Sequence, residues 1–364
     1  MLFYYGKWRN VILVVLTVAA LALTSCGQTS SKGQAPKSPS QQASGSQDGN
    51  LMLNVGQISD SIAFFPLFVA EEQGFFTAEG LTLGERPRLG TGAKLGAALV
   101  AGSIDVAAGV ITDAFALAEA GKSPVIVGSL VNNYYVDIVA GSKFLQDTGL
   151  KKDSPLDAKI RALKGRKIGI TGPGSGTEAL VVYLFKLVGL NPQRDAELVN
   201  LGSDMSAALA ALRAGRVDVL SFFQPIGQLA EVEGIGQVLI QPGRDVPNMA
   251  GQVHGVVFTT AEVLKEKRDA VEAFVRGLAR AEKFIHDNPE QTKELLAKYL
   301  SGFKPEALDA IMAVMKDQMA VNPGISQNSY EKAVKFHVDS GLIKEPVSYE
   351  AIVGVETIQK ATTN

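Results

Sequence analysis

The chain has 364 residues, 46% of them hydrophobic and 20% charged, so it is long enough for two lobes or domains and too apolar for wholesale disorder. Thirty-five basic against 37 acidic residues leave a formal charge of −2, which offers no field for a polyphosphate backbone and excludes nucleic acid as an expected partner. One cysteine, Cys26, and three histidines, His254, His286 and His337, are too few and too scattered for a disulfide framework or a Cys/His metal cage, and neither metal nor cofactor is expected.

Lys7 and Arg9 precede an apolar run over residues 11–23. As a helix this run spans about 20 Å, short of the roughly 30 Å hydrocarbon core, so residues 1–25 read as an export signal and not as a membrane span. The signal ends in Leu23-Thr24-Ser25-Cys26, which resembles a bacterial lipobox. That resemblance implies that Cys26 is diacylated, begins the mature chain and is its sole membrane attachment. After Cys26 the sequence up to residue 50 holds no aromatic or branched aliphatic residue and cannot bury area to offset chain entropy. Residues 26–50 are expected to be a disordered tether reaching about 25 to 30 Å.

From Leu51 the elements alternate. A strand over 51–57 leads into a loop with Ser59, Asp60 and Ser61 before the aromatic Phe64. Gly90-Thr91-Gly92 opens a helix over 93–101, bringing backbone N–H groups to a positive helix end. A short strand then runs into Gly109-Val-Ile-Thr112-Asp113, and a second strand covers 125–130. Tyr134 and Tyr135 lie in a first crossing, 132–140, where a tyrosine either stacks on a ligand or seals a hinge. A strand over 167–171 enters Thr171-Gly-Pro-Gly-Ser-Gly-Thr177 and a helix over 177–188. This turn, with Gly174, Ser175, Gly176 and Thr177, is the richest expected set of exposed amide donors. A helix over 205–214, a strand ending in Phe222-Phe223-Gln224, a helix over 225–233 and a strand over 238–241 follow. His254 precedes a strand over 255–259, near the expected return crossing, and reads as a hydrogen-bonded residue beside the cleft. Strand alternation lets only one of Phe222 and Phe223 face a cleft. Beyond it, residues 261–286, 291–300, 305–319 and 327–340 all carry a helical period and form a C-terminal helical cover. His286 and His337 fall there as packing or solvent residues. The β/α alternation predicts parallel sheets flanked by helices on both faces.

Residues 98–106 and 211–219 share six of nine positions, including Gly102 with Gly215 and Asp105 with Asp218. A helix, a glycine suited to a left-handed cap and a strand thus occur twice, so the fold is built from two similar lobes whose strand ends face a common cleft. Enzyme signatures fail at the glycine-rich turn. No Lys-Ser/Thr follows its last glycine, Thr177 stands where a dinucleotide motif needs glycine, and Pro173 and Thr177 flank Ser175 where a nucleophile elbow needs two glycines.

The run from Phe65 to Leu81, Phe-Pro-Leu-Phe-Val-Ala-Glu-Glu-Gln-Gly-Phe-Phe-Thr-Ala-Glu-Gly-Leu, followed by the repeat from Ala98 to Asp105, resembles the nitrate/sulfonate/taurine and thiamine-precursor group of ABC-transporter solute-binding proteins. The resemblance implies an α/β, two-lobed type II periplasmic-binding fold with two crossing strands and hinge closure on a ligand. By analogy one lobe comprises residues 51–137 plus 258–364 and the other 138–257. It also implies contacts from Ser59 to Ser61, Thr91 and Gly92, and Gly174 to Thr177. The implied protein is a monomer, outside the cytoplasm (periplasmic where an outer membrane exists), working with a permease and its ATPase. No cleft loop carries an Arg or Lys to fix a small anion. Asp60, Asp113 and the aromatic residues instead favour a flat molecule with N–H donors, such as a thiamine precursor. An alkanesulfonate or nitrate ligand, a receptor's sensing lobe and a pyrimidine-synthesising enzyme are the alternatives.

Overall fold

The computed structural model describes residues 51–363; the signal segment, Cys26 and the tether lie outside the described residues. In chain order the strands are β1 (Leu51–Leu53), β2 (Val55–Gln57), β3 (Leu81–Leu83), β4 (Val106–Val110), β5 (Pro124–Val131), β6 (Val136–Gly141), β7 (Lys167–Ile170), β8 (Glu197–Asn200), β9 (Val219–Phe223), β10 (Gly236–Ile240) and β11 (Gly255–Thr260). They form a four-stranded sheet, β2-β4-β11-β5, a five-stranded sheet, β10-β6-β9-β7-β8, and a small parallel pair, β1-β3.

The expected single strand over 51–57 divides at Asn54, because its two halves pair with different partners. Leu53 pairs with Leu83 of β3, and Val55 pairs with Val106 of β4. Asp105 clamps the break: its Oδ2 accepts from the Asn54 N–H at 2.8 Å, and its own N–H donates to the Asn54 carbonyl at 2.7 Å.

The sequence repeat is a repeat in three dimensions. The Gly92–Val100 helix and β4 recur as the Met205–Arg213 helix and β9, with every boundary displaced by 113 residues. The clamp recurs as well, since Asp218 Oδ2 accepts from the Lys167 N–H at 2.8 Å. Gly102 and Gly215 close the two helices at φ of 70° and 66°, where a side chain would be strained.

The expectation of wholly parallel sheets is corrected. β11 runs antiparallel to both β4 and β5, and β6 runs antiparallel to both β9 and β10. The chain reaches β6 from β5 of the four-stranded sheet and β11 from β10 of the five-stranded sheet, so neither strand is reached from a sheet neighbour by the helical crossover that parallel pairing needs. Four residues link β5 to β6, whereas the Pro242–Asp245 helix lies on the way from β10 to β11.

The C-terminal cover is helical, but the expected helix over 261–286 breaks at Lys267 into Ala261–Glu266 and Arg268–Asp287. The Lys267 N–H closes the first helix on the Val263 carbonyl at 2.7 Å, while its ammonium reaches Asp105 Oδ1 at 2.7 Å. The long second helix buries Val271, Phe274, Leu278 and Ile285, and Phe274 stacks on Phe76 with centroids 5.1 Å apart. Each such side chain withdrawn from water contributes about 1.5 to 3 kcal/mol. The Gln327–Ser340 helix ends beside the Gly176–Leu187 helix of the five-stranded sheet, where Lys186 Nζ donates to the Asp339 carbonyl at 2.7 Å.

Candidate ligand-binding site

A cavity of about 380 Å³ lies where the carboxyl ends of β4, β7 and β9 approach one another. This is the crevice that open α/β sheets leave for ligands, and the volume suits a small organic molecule. Apolar groups supply much of the wall: Ile58, Phe64, Ala97, Val110, Leu117, Tyr135, Val136 and Phe223. Among the described residues lining it there is no lysine or arginine.

The first polar edge comes from the four-stranded sheet. Thr91 caps the Gly92 helix, its hydroxyl accepting from the Lys94 N–H at 3.3 Å. Asp113, in the first turn of the Ile111–Glu119 helix after β4, turns its carboxylate back so that Oδ2 accepts from the Val110 N–H at 2.9 Å. Its Oδ1 abuts the start of the Gly92 helix: a Cβ on Gly92 would stand 1.7 Å from it, and one on Gly109 would stand 2.7 Å from Oδ2. Only glycine at these two places leaves room for the carboxyl group. Burial pushes that group up to about 7, with the Val110 hydrogen bond opposing.

The second polar edge is the 171–177 turn. Expected to be rich in free donors, it spends several of them on itself. The Thr171 N–H donates to Thr177 Oγ1 at 2.9 Å, Ser175 N–H to the Gly172 carbonyl at 3.3 Å and Glu178 N–H to Ser175 Oγ at 3.3 Å. The Gly174 N–H donates to Glu178 Oε2 at 2.6 Å, so the glutamate folds back onto the turn that leads into its own helix. The start of the Gly92 helix therefore abuts a carboxyl group of the chain itself, and Glu178 takes the Gly174 N–H of the turn before the second helix.

The crossing residues divide their tasks. Tyr135 lines the cavity, whereas Tyr134 is sealed behind it, its hydroxyl donating to the Gly176 carbonyl. His254 lines the cavity with its ring edge-on to both tyrosines, at 4.3 and 4.9 Å. Burial first, and then the charge of His337, push its pKa down to about 3, leaving a neutral ring at physiological pH. The expected hydrogen bond is absent at Nδ1, which is buried and unpartnered. Phe223 faces the cavity and Phe222 the core, as alternation requires.

Of the other anticipated residues, Ser59, Phe64, Thr91, Gly92, Thr112, Gly174, Ser175, Gly176 and Thr177 also line the cavity. Four do not. Asp60 lies exposed and ion-paired with Arg88 at 2.8 Å; its solvent-facing loop carries it away. Ser61 is buried, its hydroxyl accepting from the Ala63 N–H at 3.3 Å and hydrogen-bonded to Tyr135. Tyr134 is the seal just described. Gln224 is fully buried, its amide donating to Asp137 Oδ2 at 3.0 Å. Sequence reasoning missed Ser203, whose hydroxyl donates to the Gly90 carbonyl at 2.8 Å across the mouth of the cavity. The signal was present: Ser203 is the residue that the 113-residue repeat sets opposite Gly90.

Two sheets joined by two crossings, with a cavity between their strand ends, define the periplasmic-binding-protein fold, and solved structures agree. The alkanesulfonate-binding protein SsuA from Xanthomonas axonopodis pv. citri, bound to MOPS, superposes with a TM-score of 0.65 at 19% identity, over 83% of this chain and 97% of that one. The periplasmic nitrate-binding protein NrtA from Synechocystis PCC 6803 gives 0.65 at 16% identity, over 86% and 89%. The chain belongs to the NMT1-like family, which matches residues 50–301. The putative binding protein YtlA of Bacillus subtilis is 22% identical over 316 residues, 85% of this chain and 90% of that protein.

Proposed function

We propose that this chain is the solute-binding component of an ABC import system, held outside the cytoplasm by lipid on Cys26, and that it delivers a small nitrogen-bearing organic nutrient, such as a thiamine precursor, to a permease with its ATPase. Residues 51–137 plus 258–364 and residues 138–257 act as the two lobes of the clamp. Its relatives are described as binding proteins, and its family and fold support the transport role.

One observation carries the choice of ligand. The two helix starts that would attract a small anion already abut Asp113 and Glu178, and no cationic side chain lines the cavity. A further anion would meet the Asp113 carboxyl group and no counter-charge. A molecule with N–H donors would instead relieve the desolvated Asp113, while Tyr135, Phe64 and Phe223 offer aromatic surface worth about 0.5 to 1.5 kcal/mol per ring pair beyond burial. A thermal-shift screen of the purified protein against aminopyrimidines, other thiamine precursors, taurine, alkanesulfonates and nitrate tests this. A ligand at 100 times its dissociation constant adds about 2.7 kcal/mol to stability. A shift with nitrogen heterocycles is expected, and a shift with sulfonates or nitrate alone would overturn the ligand class.

A further inference from the structure

We infer that His337, buried behind the cavity on the helical cover, fixes Thr112 as a pure hydrogen-bond acceptor toward the ligand, and that Thr112 restricts its part of the cavity to groups that donate. The inference rests on the reading that the cavity holds a small organic solute. His337 Nδ1 lies 2.7 Å from the Ala333 carbonyl, and a carbonyl only accepts, so Nδ1 carries the proton. The ring is fully buried, edge-on to Phe115 at 5.0 Å and to Phe336 at 5.2 Å. Burial pushes it down to about 4, so it is neutral and holds one proton only. Nε2 is therefore bare and must accept from its other neighbour, Thr112 Oγ1, at 2.7 Å. The single hydroxyl hydrogen of Thr112 is spent on that bond. Only lone pairs remain on Oγ1 of Thr112, a residue that lines the cavity, 3.6 Å from where a Cβ on Gly176 would be. A ligand oxygen without hydrogen placed there meets lone pairs; an N–H or O–H finds an acceptor.

The tautomer is measurable without a ligand. With three histidines in the sequence, long-range proton–nitrogen NMR spectra of the uniformly ¹⁵N-labelled full chain, compared with those of His337→Gln, assign the ring. The expected result is a neutral ring protonated at Nδ1 near pH 7, with an Nε2 signal that shifts in Thr112→Val and is retained in Thr112→Ser. A ring protonated at Nε2, or an imidazolium near pH 7, overturns the inference. Binding of 4-aminopyrimidine supplies the second readout: Thr112→Val is expected to weaken it about tenfold, and Thr112→Ser to restore it. Equal affinity in wild type and Thr112→Val also overturns the inference. If no aminopyrimidine binds, the proposed ligand class falls, while the tautomer still decides the role of His337.

Discussion

Replacing Asp113 by asparagine keeps the size of the side chain and an oxygen for the Val110 N–H, and removes the charge. Burial lifts the carboxyl from an ordinary value of 3.8 to about 7. At about 1.36 kcal/mol per pH unit, holding it ionised costs the ligand-free fold up to about 4 kcal/mol. The carboxyl opens partly to the cavity and keeps some hydration there, which brings the cost to about 2 kcal/mol. The sign follows from proton binding. Between about pH 4 and 7 the folded protein retains a proton that the unfolded chain has released, so this residue makes wild-type stability fall as pH rises through that window and leaves it level above. Asp113→Asn is therefore expected to match wild type near pH 4 and to exceed it by about 2 kcal/mol at pH 8, about 4 °C in Tm, while losing affinity for donor ligands. Thermal denaturation of both proteins across this range reads the difference. A gap that does not open with pH, or a variant less stable at pH 8, would refute the idea that the carboxyl group stands desolvated and without a counter-charge.

Gly92→Ala is expected to cost about 1 to 3 kcal/mol and to weaken binding, because the new methyl group collides with Asp113; adding Asp113→Ala should recover the stability without the affinity, as a double-mutant cycle of melts and titrations would show. Ser203→Ala removes the hydrogen bond across the mouth, worth about 0.5 to 1.5 kcal/mol, and should raise the ligand dissociation rate up to about tenfold in stopped-flow measurements. His254 is held neutral, with its pKa lowered to about 3, so its contribution is present above about pH 6.5 and is lost as pH falls toward 3. His254→Phe should accordingly gain on wild type progressively below about pH 6.5 in denaturation experiments.

Much of the fold was legible because it follows from short-range chemistry. The nine-residue repeat, with its capping glycines and strand-clamping aspartates, foretold two equivalent halves. The antiparallel course of β6 and β11 was not legible, since strand direction depends on which sheet a strand enters, and alternation carries no information on that. At the site, the loops singled out by residue type line the cavity, but side-chain direction decides their use. Asp60 and Asp113 look alike in sequence, yet one pairs with Arg88 on the surface and the other turns inward over two glycines. Glu178 folds back on the glycine-rich turn, so composition overstated the free donors there. His337 lies 225 residues from Thr112, and no local pattern could have joined them.

Titration calorimetry on the full chain, comparing 4-aminopyrimidine with methanesulfonate and nitrate in wild type and Asp113→Ala, tests the central claim most directly. Saturable one-to-one binding of the aminopyrimidine, lost in the variant, with no heat from either anion, is the expected result. Binding of methanesulfonate or nitrate by the wild type, strengthened when Asp113 is removed, would contradict a cavity built for donors.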